Sequence, residues 1–312
     1  MSPFFSIVIP TYNQCELLKK AIYSVEMQTF KDNEIIVIDN STNDDTYNFL
    51  KTKKKIIYKK IKNDGIIAKS RNLGIENSKG QWVCFLDTDD AWFKKKLEKT
   101  FNEINKKNFD VICNDEWIVD NLNNTKKIWS YGPYEKNFYK KLLLFGNRNS
   151  TSATTVRKKF LLNNNIKFNE RSDFVTAEDY EFFLNIALNK GVFHYLHLPL
   201  GVHLFHEKSE SAIPKRLHQA QFQVLRYHIF NNKNSNNKDF LWKKVKKISE
   251  VKLSILFFKK NPSFLQIINI LYKIFYVPIY SVTLFKYLVK KKILQNSLMR
   301  IHKSDETSCK GM

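Results

Sequence analysis

Cysteine is scarce: Cys15, Cys84, Cys113 and Cys309 are the four in 312 residues, and no C-x-x-C pair occurs. That spacing suggests neither a zinc site nor a disulfide framework, and reduced thiols fit a cytoplasmic protein. Cys84 sits in an apolar run and is expected in the core. The opening "MSPFFSIVIP" lacks a basic n-region and has only a short apolar run, so it reads as a first β-strand and not as a signal peptide. No internal repeat is evident. Negative charge is also short, with 30 Asp+Glu against 52 Lys+Arg and a formal net charge of +22. Such an imbalance asks for an anionic partner: nucleic acid, an anionic membrane or a phosphorylated substrate. A lysine-rich coding bias is the plainer alternative. No nucleic-acid-binding motif is present, and the carboxylates cluster where a phosphate backbone would be repelled, so no nucleic-acid partner is expected. Hydrophobic residues make up 43%, enough for a real core and against global disorder.

The first half alternates between strand and helix patterns. "FFSIVIP" (4–10), "EIIVID" (34–39), "KKIIYKKI" (54–61), "QWVCFLD" (81–87) and "FDVICND" (109–115) are apolar, β-rich runs of strand length. Between them, "CELLKKAIYSVEMQ" (15–28) places Leu18, Ile22 and Val25 at helical spacing. "NDDTYNFLKT" (43–52), "IIAKSRNLGIENS" (66–78) and "KKKLEKTFNEINKK" (94–107) also read as helices. This order predicts an α/β fold with a mostly parallel central sheet covered by helices. In such sheets ligands sit beyond the carboxyl ends of the strands. The polar clusters fall there: Thr11 to Asn13, Asp39, and Asp87 to Asp90.

Three carboxylates in "LDTDD" follow directly on an apolar strand. An Asp-x-Asp at a strand end suits a hard cation that shares its shell with water and substrate phosphates. It also suits a helix start, with Asp87 as cap and Asp89 and Asp90 complementing the dipole.

"FSIVIPTYNQCELLKKAIYSVEMQTFKDNEIIVIDNSTNDDT" and "NDGIIAKSRNLGIENSKGQWVCFLDTDD" resemble family 2 glycosyltransferases of the GT-A fold, densely over 5–120 and more weakly to about 212. The strand-Pro-Thr-Tyr-Asn opening, Ser-Val-x-x-Gln-Thr, the Asp after the second strand, Arg-Asn-x-Gly-Ile and Asp-x-Asp-Asp occur in order. The resemblance implies a nucleotide-sugar donor, a UDP-sugar foremost, a divalent metal (Mn²⁺ or Mg²⁺), and inverting transfer to a hydroxyl. Carried onto this chain, it implies that Pro10, Thr11, Tyr12 and Thr88 line the nucleotide pocket. It puts Asp39 on the base, Arg71 near the nucleotide or its phosphates, and Asp87 near the ribose or the metal shell. Asp89 is then the direct metal ligand. Asn40 departs from the commoner second Asp. Tyr12 can instead simply pack, and Arg71 can pair with Asp87.

"TAEDYEFFLNIALNKG" (176–191) supplies Glu178 and Asp179 ahead of an amphipathic helix. Their plain reading is dipole complementation. The resemblance makes Asp179 the general base, with Glu178 as an acceptor-binding or back-up group. In "GVHLFHEKSESAI" (201–213) it puts His206 at the metal or diphosphate, with Ser209 and Ser211 as weaker phosphate contacts. His194, His197 and His203 alternate in an apolar context and read as sheet residues.

The expected division is a catalytic domain over 1–215 and a basic, apolar helical extension over 216–312. "FLQIINILYKIFYVPIYSVTLFKYLVKKK" (264–292) is long enough to span a bilayer. Gln266, Asn269, Lys273 and Pro278 argue instead for a helix in the membrane interface, with Lys243, Lys244, Lys246, Lys247 and Lys290 to Lys292 on anionic headgroups. Packing on the catalytic core or on a second copy of the chain, as a homo-oligomer, is the alternative. The expected function is glycan or lipid-linked glycan synthesis for a bacterial surface polysaccharide, lipooligosaccharide or glycoprotein. The expected location is cytoplasmic, peripheral on the inner face of the membrane. The rivals are an inactive nucleotide-sugar-binding protein and a nucleic-acid-binding protein.

Overall fold

The computed structural model describes residues 2–206, 214–231 and 237–260, with side chains to residue 250. The apolar runs form β1 (Phe5–Thr11), β2 (Asn33–Asp39), β3 (Ile56–Lys60) and β4 (Trp82–Phe85). Helices α1 (Cys15–Glu26), α2 (Asp45–Leu50) and α3 (Ile67–Asn77) alternate with them. Every residue of β1 and β4 is buried, as a strand covered on both faces requires. Leu18, Ala21, Ile22 and Val25 form the buried stripe of α1, three and four residues apart. β3, β2, β1 and β4 lie side by side and all run parallel.

The remaining elements are β5 (Ala91–Trp92), α4 (Lys96–Ile104), β6 (Val111–Asp120), β7 (Thr125–Trp129), α5 (Phe138–Phe145), β8 (Thr154–Arg157), α6 (Lys158–Asn163), α7 (Glu178–Leu188) and β9 (Phe193–Phe205). β8 inserts antiparallel between β4 and β6, β9 joins β6 in parallel, and β5 closes the edge antiparallel to β9. β7 folds back on β6 as a hairpin. The expected strand at 109–115 therefore runs on to Asp120, because its second half pairs with β7 and β9. Cys84 is fully buried, its Sγ 3.3 Å from Thr155 Oγ1. Cys15, Cys84 and Cys113 are free thiols, and Cys309 lies outside the described residues.

Two motifs are explained by packing. Gln28 is fully buried, donating to the Ser24 and Phe93 carbonyls and accepting from Leu97 N–H, so it rivets α1 to the start of α4. Gly74 lets α3 lie directly on β1, since a Cβ there would collide with Val8. Asn72, next to Arg71, donates to Phe168 O and Glu170 Oε1 and accepts from Phe168 N–H. The face of α3 that carries Arg71 is thereby fixed.

The chain separates into two compact units, residues 1–138 with 147–221, and residues 139–146 with 222–312. Most of α5, the part of α8 (Pro214–Asn231) from Phe222 on, and α9 (Lys238–Lys260) supply the described part of the second unit. There Trp242 packs on Phe222 and Phe230, and Val224, Ile229, Val245 and Ile248 are buried. Among the described residues no helix is long and apolar enough to cross a membrane. The interfacial segment expected at 264–292 lies outside the described residues, as do Ser209 and Ser211.

Candidate active site

The carboxyl ends of β1, β2 and β4 meet at one edge, where Thr11 pairs in register with Asp39. Pro10 is buried in β1, and Thr11 ends the strand, buried, with an Oγ1 that has no hydrogen-bond partner among the described residues. Tyr12 is 55% exposed, so it does not simply pack. Asn13 takes a left-handed conformation and holds the opposite loop through Ser41 and Thr42.

Asp39 is fully buried, and its carboxylate accepts from Ser41 N–H (2.8 Å), Tyr58 Oη (2.9 Å) and Lys60 Nζ (3.1 Å). Burial alone would raise its pKa, but these donors hold it below the usual value. Ser41 belongs to the loop at 40–42 and Tyr58 and Lys60 to β3, so the carboxylate ties that loop to β3 and still has a lone pair on Oδ1 for the base contact expected of it. Of the three donors, the Lys60 side chain is about half exposed and can move away.

The Asp-x-Asp-Asp segment is divided three ways. Asp87 Oδ1 accepts from Arg71 Nη2 at 2.9 Å, and its backbone N–H donates to Ser152 Oγ at 3.0 Å. Thr88 Oγ1 donates to Gln14 Oε1 at 2.6 Å, joining this turn to the start of α1. Asp89 Oδ2 lies 3.2 Å from His206 Nε2. Asp90 is buried and reaches His203 Nδ1 at 3.0 Å and Leu204 N–H at 3.2 Å, anchoring the turn on β9. Burial alone would lower His203, but Asp90, Glu116 and Asp89 push it up to about 10, so it stands as an imidazolium. His203 had read as a plain sheet residue. It lies in β9, but its charge faces the carboxylate cluster.

Burial and the nearby Asp87 raise the Asp89 pKa, with His203 and His206 pulling it back. A partly buried carboxylate so disfavoured as an anion gains from an arriving cation. Two ligands adjacent on an octahedral ion with ~2.1 Å bonds sit ~3 Å apart, so Asp89 and His206 fit such an ion. Among the described residues no group of three or more His, Cys, Asp or Glu side chains can hold a metal by itself. A two-donor site suits a hard cation whose other ligands are phosphate oxygens and water.

Arg71 is buried and bridges two carboxylates, Asp87 through Nη2 and Glu178 Oε1 through Nη1 at 2.6 Å. Its position is that of a strut between β4 and α7, matching the pairing with Asp87 that the sequence had left open. Glu178 is buried with it, and its Oε2 has no hydrogen-bond partner among the described residues. Asp179 is half-buried, accepting from Tyr180 N–H and, through Oδ2, from Asn147 Nδ2 at 2.9 Å. Burial and the adjacent Glu178 push its pKa up to about 7, against the pull of Arg71. The fold thus brings Asp87, Arg71, Glu178 and Asp179 together, with Asp89 and His206 reached through the same turn. Asn147, Ser152 and His203 were missed as members. The only sequence signal for the first two is the polar run "NRNSTS" (147–152).

The sequence profile described as Glycosyl transferase family 2 matches residues 6–164, just over half of the chain. The chain belongs to glycosyl transferase family 2. As a family 2 chain it is 40% identical over 107 residues to an uncharacterized glycosyltransferase of Rickettsia felis, 33% of this chain but 18% of that relative. It is 33% identical over 193 residues to the poly(ribitol-phosphate) beta-N-acetylglucosaminyltransferase TarP of Staphylococcus aureus, covering 59% of this chain and 57% of TarP. The chain thus spans less than two thirds of either relative. The crystal structure of S. aureus TarS 1-349 in complex with UDP-GlcNAc superposes with a TM-score of 0.61, 19% identity, and coverage of 87% of this chain and 79% of that one. At that identity the likeness is one of fold. The fold is the GT-A α/β fold of the family 2 enzymes.

Proposed function

We propose that this chain is a metal-dependent, inverting glycosyltransferase using a nucleoside-diphosphate sugar. The observation that carries the reading is the Asp89–His206 pair beside the Asp87–Arg71–Glu178 triad and Asp179, with Asp87 and Asp89 just past the carboxyl end of β4. Pro10, Thr11, Tyr12 and Thr88 line the nucleotide side. Asp39 serves it by ordering the loop at 40–42, and offers Oδ2 to a base when the Lys60 amine swings off. Asp89 and His206 would hold Mn²⁺ or Mg²⁺, which when bound supplies charge neutralisation for the departing diphosphate.

The acceptor hydroxyl attacks the anomeric carbon opposite the diphosphate. Its O–H proton passes to the Asp179 carboxylate as the new C–O bond forms, and the diphosphate leaves with the electron pair of the broken bond. Each Asp179 oxygen accepts one hydrogen bond, which leaves a lone pair on each for that proton. Arg71 holds Glu178 and Asp87 in place, so the acceptor and donor sides of the cleft keep one spacing.

A UDP-sugar is the favoured donor, supported by the TarS complex with UDP-GlcNAc. A hydroxyl of a surface glycan or a lipid-linked glycan is the favoured acceptor, supported by the activity named for TarP. The excess of basic residues supports a peripheral place on an anionic membrane, with the region after residue 240 as its contact. The test is a panel of UDP-, GDP- and dTDP-sugars with Mn²⁺ or Mg²⁺, reading release of nucleoside diphosphate. Release that needs metal, selects one nucleotide and stops with Asp89→Ala supports the reading. No release from any donor, with nucleotide still bound, would favour an inactive nucleotide-sugar-binding protein.

A further inference from the structure

We propose that Asn147 is a positioning residue that orients the Asp179 carboxylate and favours its ionised form, an inference that rests on the reading of Asp179 as the base. Asn147 Nδ2 donates to Asp179 Oδ2 at 2.9 Å. The amide cannot turn round without loss, because its Oδ1 accepts from Asn149 N–H at 3.1 Å. The donor end is therefore the one that faces the carboxylate. Asn149 is itself pinned, its Oδ1 accepting from the buried Tyr195 Oη at 2.9 Å. Arg148, between them, donates through Nη1 to Pro133 O and to Glu135.

The same strap reaches the donor side. Five residues past Asn147, Ser152 Oγ accepts from Asp87 N–H, and Ser152 O accepts from the Trp92 indole N–H at 2.9 Å. One short segment thus touches the proposed base at one end and the start of the Asp-x-Asp turn at the other. The charged groups facing Asp179 are Glu178 on its own helix, Arg71 on α3 and Asp87 after β4. Two are negative and raise the pKa, and Arg71 already serves two other carboxylates. Asn147 is the neutral donor on the remaining side. A hydrogen bond to the charged form favours that form.

The experiment compares the parent chain, Asn147→Ala and Asn147→Asp, each with and without Asp179→Asn. Thermal stability is followed from pH 4 to 9, and the difference within each pair reads the Asp179 titration, or in Asn147→Asp that of the two facing carboxylates together. Loss of one charge-assisted bond is expected to raise that midpoint by about one pH unit in Asn147→Ala. Asn147→Asp keeps the shape and the Asn149 bond but adds a facing carboxylate, so its midpoint should rise further. It also stands in if Asn147→Ala does not fold. The second readout is hydrolysis of UDP-GlcNAc, with Mn²⁺, against pH. The acid limb of kcat should move by the same interval while donor KM stays within twofold. An unmoved midpoint in both variants overturns the proposal. A midpoint that moves beside an acid limb that does not overturns Asp179 as the base, and with it the catalytic half of the proposal, while leaving the contact.

Discussion

Arg71 and Glu178, 107 residues apart in the chain, form a buried ion pair at 2.6 Å, and the same guanidinium holds Asp87. Removing the cation would strand two carboxylates in a low dielectric. Arg71→Met is expected to cost ~3–5 kcal/mol, the scale for breaking a buried ion pair from one side. Arg71→Lys should recover only part of this, because one ammonium lacks the fork that spans two partners. Urea melts of both variants check it, and an unchanged midpoint for Arg71→Met counts against the strut.

Asp179→Asn should lower kcat ~10²-fold or more while donor affinity stays near the parent value. Glu178→Gln should lower kcat less. An active Asp179→Asn beside a dead Glu178→Gln would move the base to Glu178. The raised Asp179 pKa sets the pH profile. A base at Asp179 would work only when ionised, so hydrolysis or transfer by the parent chain should climb with pH to a plateau above about 7.

The same group makes a stability prediction with a definite sign. Its folded pKa, about 7, lies above the unfolded value of 3.8, so the protonated form is favoured on folding. The stability it contributes is complete below about pH 4 and is lost as pH rises to 7. Asp179→Asn should therefore melt at a higher temperature than the parent at pH 8 and show a smaller gain at pH 5. Differential scanning calorimetry at the two pH values reads this directly, and an equal gain at both would mean the carboxylate is ionised throughout.

Asp89→Ala should abolish the part of donor binding that depends on metal and leave the fold intact. His206→Ala should weaken the same component. Calorimetric titration of UDP with and without Mn²⁺ separates the two parts. Unchanged affinity in Asp89→Ala with Mn²⁺ present would remove the metal assignment.

Asp39→Ala should weaken free UDP binding by ~1–3 kcal/mol, the scale for leaving buried partners unpaired. Lys60→Ala leaves Asp39 in place and opens Oδ2, so it should keep or improve affinity for UDP. A loss in Lys60→Ala as large as that in Asp39→Ala would show that the lysine, and not the aspartate, meets the nucleotide.

Binding of the full chain to vesicles should rise with the anionic lipid fraction and fall as salt screens exposed charge. Co-sedimentation with vesicles of phosphatidylcholine and phosphatidylglycerol measures both trends. A chain that stays in the supernatant at low salt does not use its basic residues this way.

Local pattern was enough for the first four strands. β1, β2 and β4 are continuous apolar runs, α1 has its stripe at helical spacing, and each polar cluster follows its strand directly, so the strand ends could be placed from spacing alone. Asp87 and Asp89 could be placed past β4 for the same reason, whereas Asp179, in the first turn of α7, was singled out through the family resemblance and not by spacing. β5, β7 and β8 were not, because strands of two to five residues carry too little periodicity to read. Their insertion sets the sheet order, and the sheet order decides which distant residues meet. Asp90 finds His203 because β5 pairs with β9. Asp87 finds Ser152 because β8, just after the strap, lies beside β4. Charge and residue type announced that these groups wanted partners. Only the tertiary structure chose Arg71 for Glu178, Asn147 for Asp179 and His206 for Asp89, since each pair is separated by tens of residues and brought within hydrogen-bond range by strands and helices packed between them.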